Sequence, residues 1–259
     1  MSLCIADASE NNERGAVLKA LLLISVIAEL IFVGFYIFSP LIKGGNKPLV
    51  AKTICAVTFV VIGVIAAFAS GGYNTAYAVL ISLGAAFGAF GDYALNMNTK
   101  SRRFLIGLVG FLIGHIFYAS AFASMLIKIS VLLLPQIFLL GLSVITVSLI
   151  IVAMGINLKV SLDKNLIPVL IYVLTISTML VFAVAIAISM VKIEGIKSLS
   201  AALLIALGAM LFVVSDAVLA IKTFSKKTVN INRVVNPITY FSAQVMLGLS
   251  IYFVQFLTV

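Results

Sequence analysis

The sequence predicts an all-α, polytopic membrane protein with about eight transmembrane helices. Hydrophobic residues occupy 63% of its 259 positions and charged residues only 10%, and the mean hydropathy is +1.28. This composition is typical of a chain that crosses a membrane repeatedly. A bilayer core needs about 20 apolar residues per helix. Eight runs reach about that length: 16–39, 49–69, 74–97, 103–127, 131–155, 165–190, 198–222 and 235–258.

The connections between these runs are too short to build a separate core, so residues 1–259 are predicted to form a single transmembrane domain. Residues 1–15, "MSLCIADASENNERG", carry acids where a signal peptide would carry cations, and they predict a short extracytoplasmic tail rather than a cleaved signal. The segments "FGDYAL" and "VSDAVL" lie on helices of the same predicted direction. Their likeness raises the hypothesis of two four-helix halves in parallel repeat.

The 17 cations indicate the orientation of the chain. Twelve of them lie in or beside the first, third, fifth and seventh connections: Lys43, Lys47, Lys52, Lys100, Arg102, Arg103, Lys159, Lys164, Lys222, Lys226, Lys227 and Arg233. By the positive-inside rule these connections are predicted to be cytoplasmic and both termini extracytoplasmic, in a multi-pass protein of the cell membrane. The formal net charge of +9 is therefore explained by topology, and nucleic acid is not a predicted partner.

Metal-ligating residues are scarce. The chain has two cysteines, Cys4 and Cys55, in different predicted regions, and His115 is its single histidine. Two distant thiols and one imidazole are too few for the histidine-rich or cysteine-rich sites that bind zinc. We therefore predict no metal site and no cofactor.

Two aspartates inside apolar helices are the strongest functional signal. Asp92 precedes Lys100 by eight residues, which is about 12 Å along a helix at 1.5 Å per residue, and Asp216 precedes Lys222 by a similar interval. Both helices run in the same predicted direction, so the two carboxyl groups share a depth near the cytoplasmic side. An acid within a membrane span usually faces the bundle interior and marks a functional site. A shared cavity is predicted.

Other polar side chains lie at comparable predicted depths, and those of helix 4 lie nearer the midplane. We predict that they bind the substrate. They are Lys47 and Lys52 in helix 2, Asn96 one turn after Asp92, His115 and Tyr118 in helix 4, Tyr172 in helix 6, and Tyr240 and Gln244 in helix 8. Each also has a structural interpretation. The lysines could pair with the aspartates or serve topology alone, and the histidine could be an interhelical hydrogen bonder.

Five short motifs occur in order from helix 2 to helix 8: "NKPL", "GD" followed by "xxL", "GHIFY", "SDAVLA" and "YFSAQ". With the helix count, they resemble the lysoplasmalogenase family, also called YhhN-like membrane proteins. The resemblance implies a hydrolase that cleaves the vinyl ether bond of lysoplasmenylcholine or lysoplasmenylethanolamine, releasing a fatty aldehyde and a glycerophospho-base. It implies Asp92 and Asp216 as the catalytic pair, with pocket residues Lys47, His115, Tyr118, Tyr240 and Gln244.

The chemistry of a vinyl ether suits two carboxyl groups. Protonation of the carbon distal to oxygen gives an oxocarbenium ion, which water captures, so one acid and one base are needed. Inverting glycosidases divide these roles between two carboxyl groups in the same way. The implied partners are a lysophospholipid substrate and membrane lipid, with the phosphate near Lys47 and Lys52. Which aspartate is the acid, the headgroup preference and the oligomeric state stay open.

Two other classes of protein fit the same residues. Paired intramembrane acids also suit a secondary transporter or a proton-coupled carrier, although matching Gly/Pro interruptions of the helices are not evident in the sequence. A lipid-sensing membrane protein without turnover is the third interpretation. Aldehyde release, solute uptake and lipid binding without product distinguish the three.

Overall fold

A computed structural model describes residues 2–39, 47–96, 101–129, 134–157, 166–224 and 234–254. The described residues form eight α-helices: α1 Ser2–Phe38, α2 Lys47–Ala69, α3 Thr75–Asn96, α4 Ser101–Ile129, α5 Leu134–Asn157, α6 Leu166–Glu194, α7 Leu199–Phe224 and α8 Val235–Val254. A 3₁₀ turn, Gly195–Ser198, joins α6 to α7. The predicted all-α class is confirmed.

The helices have the length and apolarity of membrane spans. Seven continuous helical segments in the described ranges qualify, and one of them, Leu166–Thr223, is 58 residues long. Fully straight, that segment would measure roughly 87 Å, whereas the hydrocarbon core is about 30 Å thick. It is divided instead at Gly195, whose φ of +63° favours glycine, and α6 packs against α7. The number of spans is therefore close to the predicted eight.

The first helix differs from its prediction. We expected it to begin near residue 16, after a short tail, but α1 begins at Ser2. The segment before residue 16 contains no proline and several good helix formers, including alanine, leucine, glutamate and arginine, so the apolar helix can extend through it. The polar first turns lengthen the helix beyond the span that begins at Glu13.

A seam of glycines holds α3 against α4. A Cβ atom added to Gly91 would lie 3.1 Å from the carbonyl oxygen of Gly107, and one added to Gly114 would lie 3.0 Å from the carbonyl oxygen of Gly84. Small residues let two membrane helices approach to backbone contact, where van der Waals packing replaces the hydrophobic effect. The seam fixes the rotation of α3, which carries Asp92, relative to α4, which carries His115.

Helices α2, α6 and α8 pack directly against this pair. Helix α8 packs against α2, α3 and α7, and α4 packs against α6, while α5 lies against α6 at the periphery. The span of α5 has no buried residues, whereas half of the α8 span is buried. The pairs α3/α4 and α7/α8 both pack closely, as equivalent pairs would in two four-helix halves, and that repeat stays a prediction.

Candidate functional site

Asp92 forms an ion pair with Lys52 across the interface of α3 and α2. The lysine Nζ lies 2.8 Å from Asp92 Oδ1. Both groups lie inside the bundle, with side-chain exposures of 17% for the lysine and 5% for the aspartate. A buried ion pair is stable only where the geometry is good and further hydrogen bonds satisfy the charges. The short distance and the burial place a charged pair within the membrane-spanning region.

A chain of hydrogen bonds leads from Asp92 into the bundle. The Tyr240 hydroxyl donates to Asp92 and accepts from Gln244 Nε2 at 3.2 Å. Gln244 Oε1 in turn accepts from the Tyr118 hydroxyl at 2.5 Å. Helix α8 supplies both middle members because Tyr240 and Gln244 are four residues apart and share a face. Three of the predicted pocket residues therefore form one network with the Asp92 carboxylate.

Asp216 has a different environment. Its Oδ2 accepts a hydrogen bond from the Tyr172 hydroxyl at 2.5 Å and lies 3.5 Å from His115 Nε2. The histidine is 1% exposed and the aspartate side chain 14%. Within the described ranges Asp216 thus lies beside an imidazole and a phenol, whereas Asp92 forms an ion pair with the Lys52 ammonium group.

The tautomer of His115 follows from its second contact. Nδ1 lies 2.6 Å from the backbone carbonyl oxygen of Phe111, and a carbonyl can only accept, so Nδ1 carries the hydrogen. In a neutral imidazole Nε2 is then an acceptor facing the Asp216 carboxyl group. Nε2 has no hydrogen-bond partner among the described residues, and its distance of 3.5 Å from Asp216 Oδ2 exceeds normal hydrogen-bond length. A proton shared between the two groups would require a closer approach.

The two carboxyl groups interact electrostatically, but of the two only Asp92 lines the cavity between α2 and α3, so the shared cavity that the sequence predicted stays a prediction. Asp92 is close enough to act electrostatically on Asp216, and aromatic rings fill the space between their networks. The Phe212 ring centroid lies 4.7 Å from that of His115 and 5.5 Å from that of Tyr240. Sequence reasoning missed Phe212, although it lies one turn before Asp216 on the same face of α7. It also missed Phe111, whose carbonyl sets the histidine tautomer.

A cavity of about 200 Å³ borders the site between α2 and α3. Its lining residues are Lys52, Thr53, Ala56, Val57, Ala89, Asp92 and Tyr93. Val57 is 56% exposed and Tyr93 46% exposed, on the outer surface of the bundle. Asp92 thus faces both a cavity that opens to the side of the bundle and the hydrogen-bonded interior.

Two predicted substrate-binding residues, Lys47 and Asn96, lie at helix ends. Helix α2 begins at Lys47 and α3 ends at Asn96, but their side chains lie outside the described residues. Among the described residues, no three His, Cys, Asp or Glu side chains are grouped as metal ligands. The remaining predicted site residues lie around the two carboxyl groups as given above, and their roles in binding and catalysis stay predictions.

Gly88 makes room for the hydrogen-bonded chain. It lies one turn before Asp92 in α3, and a Cβ atom there would lie 2.5 Å from Gln244 Nε2 and 3.3 Å from the Tyr240 hydroxyl oxygen. Such contacts are too short for a packed side chain, so the amide would have to shift. The absence of a side chain at this position is what lets α8 bring its polar pair against α3.

We expect Gly88→Ala to destabilise the protein without removing any polar group. Overpacking of this kind costs about 1–3 kcal/mol. Gly34→Ala in α1 is the matched control, because nothing lies within 4 Å of its added Cβ. The measurement is the unfolding midpoint in detergent, and equal midpoints for the two variants would show that the glycine is not needed for this packing.

The fold and the site define a class: a polytopic helical membrane protein with two buried, interacting carboxyl groups in its core. The family is also defined. A model of the YhhN family matches residues 49–251, from α2 through most of α8, and the chain belongs to that family. The suspected resemblance is thereby confirmed at the level of the family. No curated protein and no solved structure matches the chain.

Proposed function

We propose that the protein is an intramembrane hydrolase that cleaves the vinyl ether bond of lysoplasmalogens. The products would be a fatty aldehyde and glycerophosphocholine or glycerophosphoethanolamine. One observation carries the proposal: two interacting buried carboxyl groups have opposite surroundings, Asp92 beside Lys52 at 2.8 Å and Asp216 beside His115 and Tyr172. An acid and a base at neutral pH require such a difference. Membership of the YhhN family supports the same reaction class.

Asp216 is the acid in this mechanism. In the resting site Asp216 carries a proton, because burial disfavours a carboxylate that has no permanent cation beside it, and His115 is neutral. That proton adds to the vinyl carbon distal to the ether oxygen, and the π electrons of the double bond form the new C–H bond. Asp216 becomes a carboxylate that accepts from Tyr172, and an oxocarbenium ion forms at the carbon next to oxygen.

Asp92 is the base. Its carboxylate, kept ionised by Lys52, takes a proton from water as the water oxygen bonds to the oxocarbenium carbon, giving a hemiacetal. In the collapse, Asp92 returns this proton to the glycerol oxygen while the C–O bond breaks, and the hemiacetal hydroxyl gives its proton to Asp216. Aldehyde and alcohol leave, and both carboxyl groups regain their starting states.

The charges explain why a lysine belongs in the site. Before reaction, Lys52 and Asp92 cancel and Asp216 is neutral. After protonation of the substrate, the cationic oxocarbenium and the new Asp216 carboxylate also cancel. The net charge of the site therefore stays at zero in a medium of low dielectric constant, where uncompensated charge is most costly. Preorganised carboxylates would stabilise the developing cation.

The test is direct. Purified protein is incubated with lysoplasmenylcholine or lysoplasmenylethanolamine, and we expect one aldehyde for each glycerophospho-base released. The matched control is the lysophospholipid with a saturated alkyl ether, which cannot form an oxocarbenium ion by protonation and should stay intact. In heavy water the product aldehyde should carry deuterium at carbon 2. Uptake of a solute into proteoliposomes, with no aldehyde from either vinyl ether substrate, would favour a carrier instead.

The location of the site in the membrane is also a proposal. Lys52 and Asp92 lie near the beginning of α2 and the end of α3, the ends that the cation distribution predicts to be cytoplasmic. The phosphate headgroup would then lie toward the cytoplasm, near Lys47 and Lys52. A reporter fused after Val259 should be extracytoplasmic, and a cytoplasmic reporter would reverse this orientation.

A further inference from the structure

We propose that the cavity between α2 and α3 is a lateral entrance from the lipid phase, and that it binds the hydrocarbon chain of a single-chain lysophospholipid beside the cleaved bond. The inference rests on the proposed function and adds a route and a binding site to it. The floor of the cavity is the Lys52–Asp92 pair, and its mouth is formed by Val57 and Tyr93 on the outer surface of the bundle.

The lining is mainly apolar, and its polar groups are the ion pair at the floor, the Thr53 hydroxyl and the Tyr93 phenol at the mouth. Ala56, Val57 and Ala89 supply small aliphatic groups. The Thr53 hydroxyl donates to the Leu49 carbonyl oxygen at 2.9 Å, so it presents its methyl group without an unsatisfied donor. An alkyl chain could lie along this surface without desolvating a polar group, and the charged floor would meet the ether end of the chain.

Energetics favour a lateral route over an aqueous one. The cleaved bond lies between the hydrocarbon chain and the glycerophospho-base, and each CH₂ moved from lipid to water costs about 0.8 kcal/mol. A chain that enters between α2 and α3 stays in apolar surroundings while its ether end reaches Asp92. The proposed base therefore lies where a membrane-embedded substrate can arrive without leaving the bilayer.

The size of the cavity favours a lipid with a single hydrocarbon chain. Pockets that enclose a small molecule usually measure about 300–1,000 Å³, and this one measures about 200 Å³. It would hold a segment of one chain near the bond, with the rest of the chain in the bilayer. A diacyl lipid would bring a second chain to the same narrow mouth. We therefore commit to a single-chain lysophospholipid as the occupant.

The first test fills the mouth. Val57→Trp should raise KM about tenfold or more and change kcat less, since one misfitted methylene in an apolar pocket already changes discrimination about 10- to 200-fold. Val64→Trp is the matched control. Val64 lies two turns further along α2, is 41% exposed and does not line the cavity. Equal KM values for wild type and the Val57 variant would overturn the proposal.

The second test measures binding without turnover. A photoreactive residue is introduced as Tyr93→p-benzoylphenylalanine, which replaces one aromatic side chain at the mouth with another. The control is Phe90→p-benzoylphenylalanine, because Phe90 is 49% exposed on the same helix and does not line the cavity. The probe is an alkyne-tagged lysophospholipid with a saturated alkyl ether. Excess untagged lysophospholipid should suppress labelling at position 93 and leave position 90 unchanged. Unsuppressed labelling at position 93, or equal suppression by a diacyl lipid with the same headgroup, would overturn the proposal.

The two proposals can fail separately. Suppressible labelling at position 93 together with no aldehyde from any vinyl ether substrate would keep the chain-binding cavity and reject the proposed reaction. Aldehyde release with an unchanged KM in the Val57→Trp variant would keep the reaction and reject the cavity as its entrance.

Discussion

Asp92→Asn and Asp216→Asn should each lower aldehyde release at least about 100-fold, the lower end of what a positioned acid or base contributes. Asparagine keeps the shape of the side chain but neither ionises nor delivers an acidic proton. Both positions lie inside membrane spans and within electrostatic reach of each other. The measurement is the initial rate of aldehyde formation by purified variants that show the wild-type elution profile in detergent.

Glu29→Gln is the matched control for these variants. Glu29 is also a carboxyl group inside a membrane span, it is 1% exposed, and its oxygens have no hydrogen-bond partner among the described residues. It lies in α1, outside the residues that match the family, and the mechanism does not use it. Wild-type rates for Glu29→Gln beside inactive Asp variants would locate the chemistry. Full activity of either Asp→Asn variant would reject the pair.

The roles of the two aspartates can be separated with an external nucleophile. In Asp92→Ala the acid remains, so azide supplied through the adjoining cavity should capture the oxocarbenium ion and restore consumption of the vinyl ether. In Asp216→Ala the oxocarbenium ion does not form, and azide should have no effect. Rescue of the Asp216 variant alone would reverse the assignment of acid and base.

Lys52→Met should destabilise the protein by about 3–5 kcal/mol, the usual cost of removing one partner of a buried ion pair. Its ammonium group lies 2.8 Å from Asp92 Oδ1, so its removal leaves the carboxylate without a neighbouring cation in a low-dielectric interior. Lys192→Met is the control, because Lys192 is exposed near the end of α6. The measurement is the free energy of unfolding in mixed micelles.

The double variant Lys52→Met/Asp92→Leu completes a thermodynamic cycle with the single variants Lys52→Met and Asp92→Leu. Apolar replacement of both partners should recover much of the lost stability, since a buried pair is often no more stable than hydrophobic residues of similar size. The recovered protein should be inactive, because it lacks the base. Additive effects of the two substitutions would mean that the pair is not coupled in the folded protein.

The sequence located the two carboxyl groups along their helices but not their partners. At 1.5 Å per residue, the distance from Asp92 or Asp216 to the next cation gives a depth. Depth does not reveal which face of a neighbouring helix is presented. Lys52 was one of two lysines that could pair with either aspartate, and Tyr172 was one polar residue among several in helix 6.

The packing of the helices determines which of these side chains pair. In helices that are apolar nearly all round, hydrophobic periodicity does not indicate which face is buried, so rotation depends on close contacts. The glycines of α3 and α4 set the backbone approach, and Gly88 leaves the space that Gln244 and Tyr240 occupy. Phe212 was missed for the same reason, since a phenylalanine in an apolar helix gives no separate signal.

By itself, therefore, the sequence determined the membrane class, a number of spans close to eight, the positions of Asp92 and Asp216 along their helices, and the resemblance to the family. Only the tertiary structure decided that Lys52 forms an ion pair with Asp92, that Tyr172 and His115 contact Asp216, and that a cavity opens between α2 and α3. The physical reason is that composition and helical rise are properties of one chain segment. Ion pairs and cavities depend on which surfaces of different segments meet.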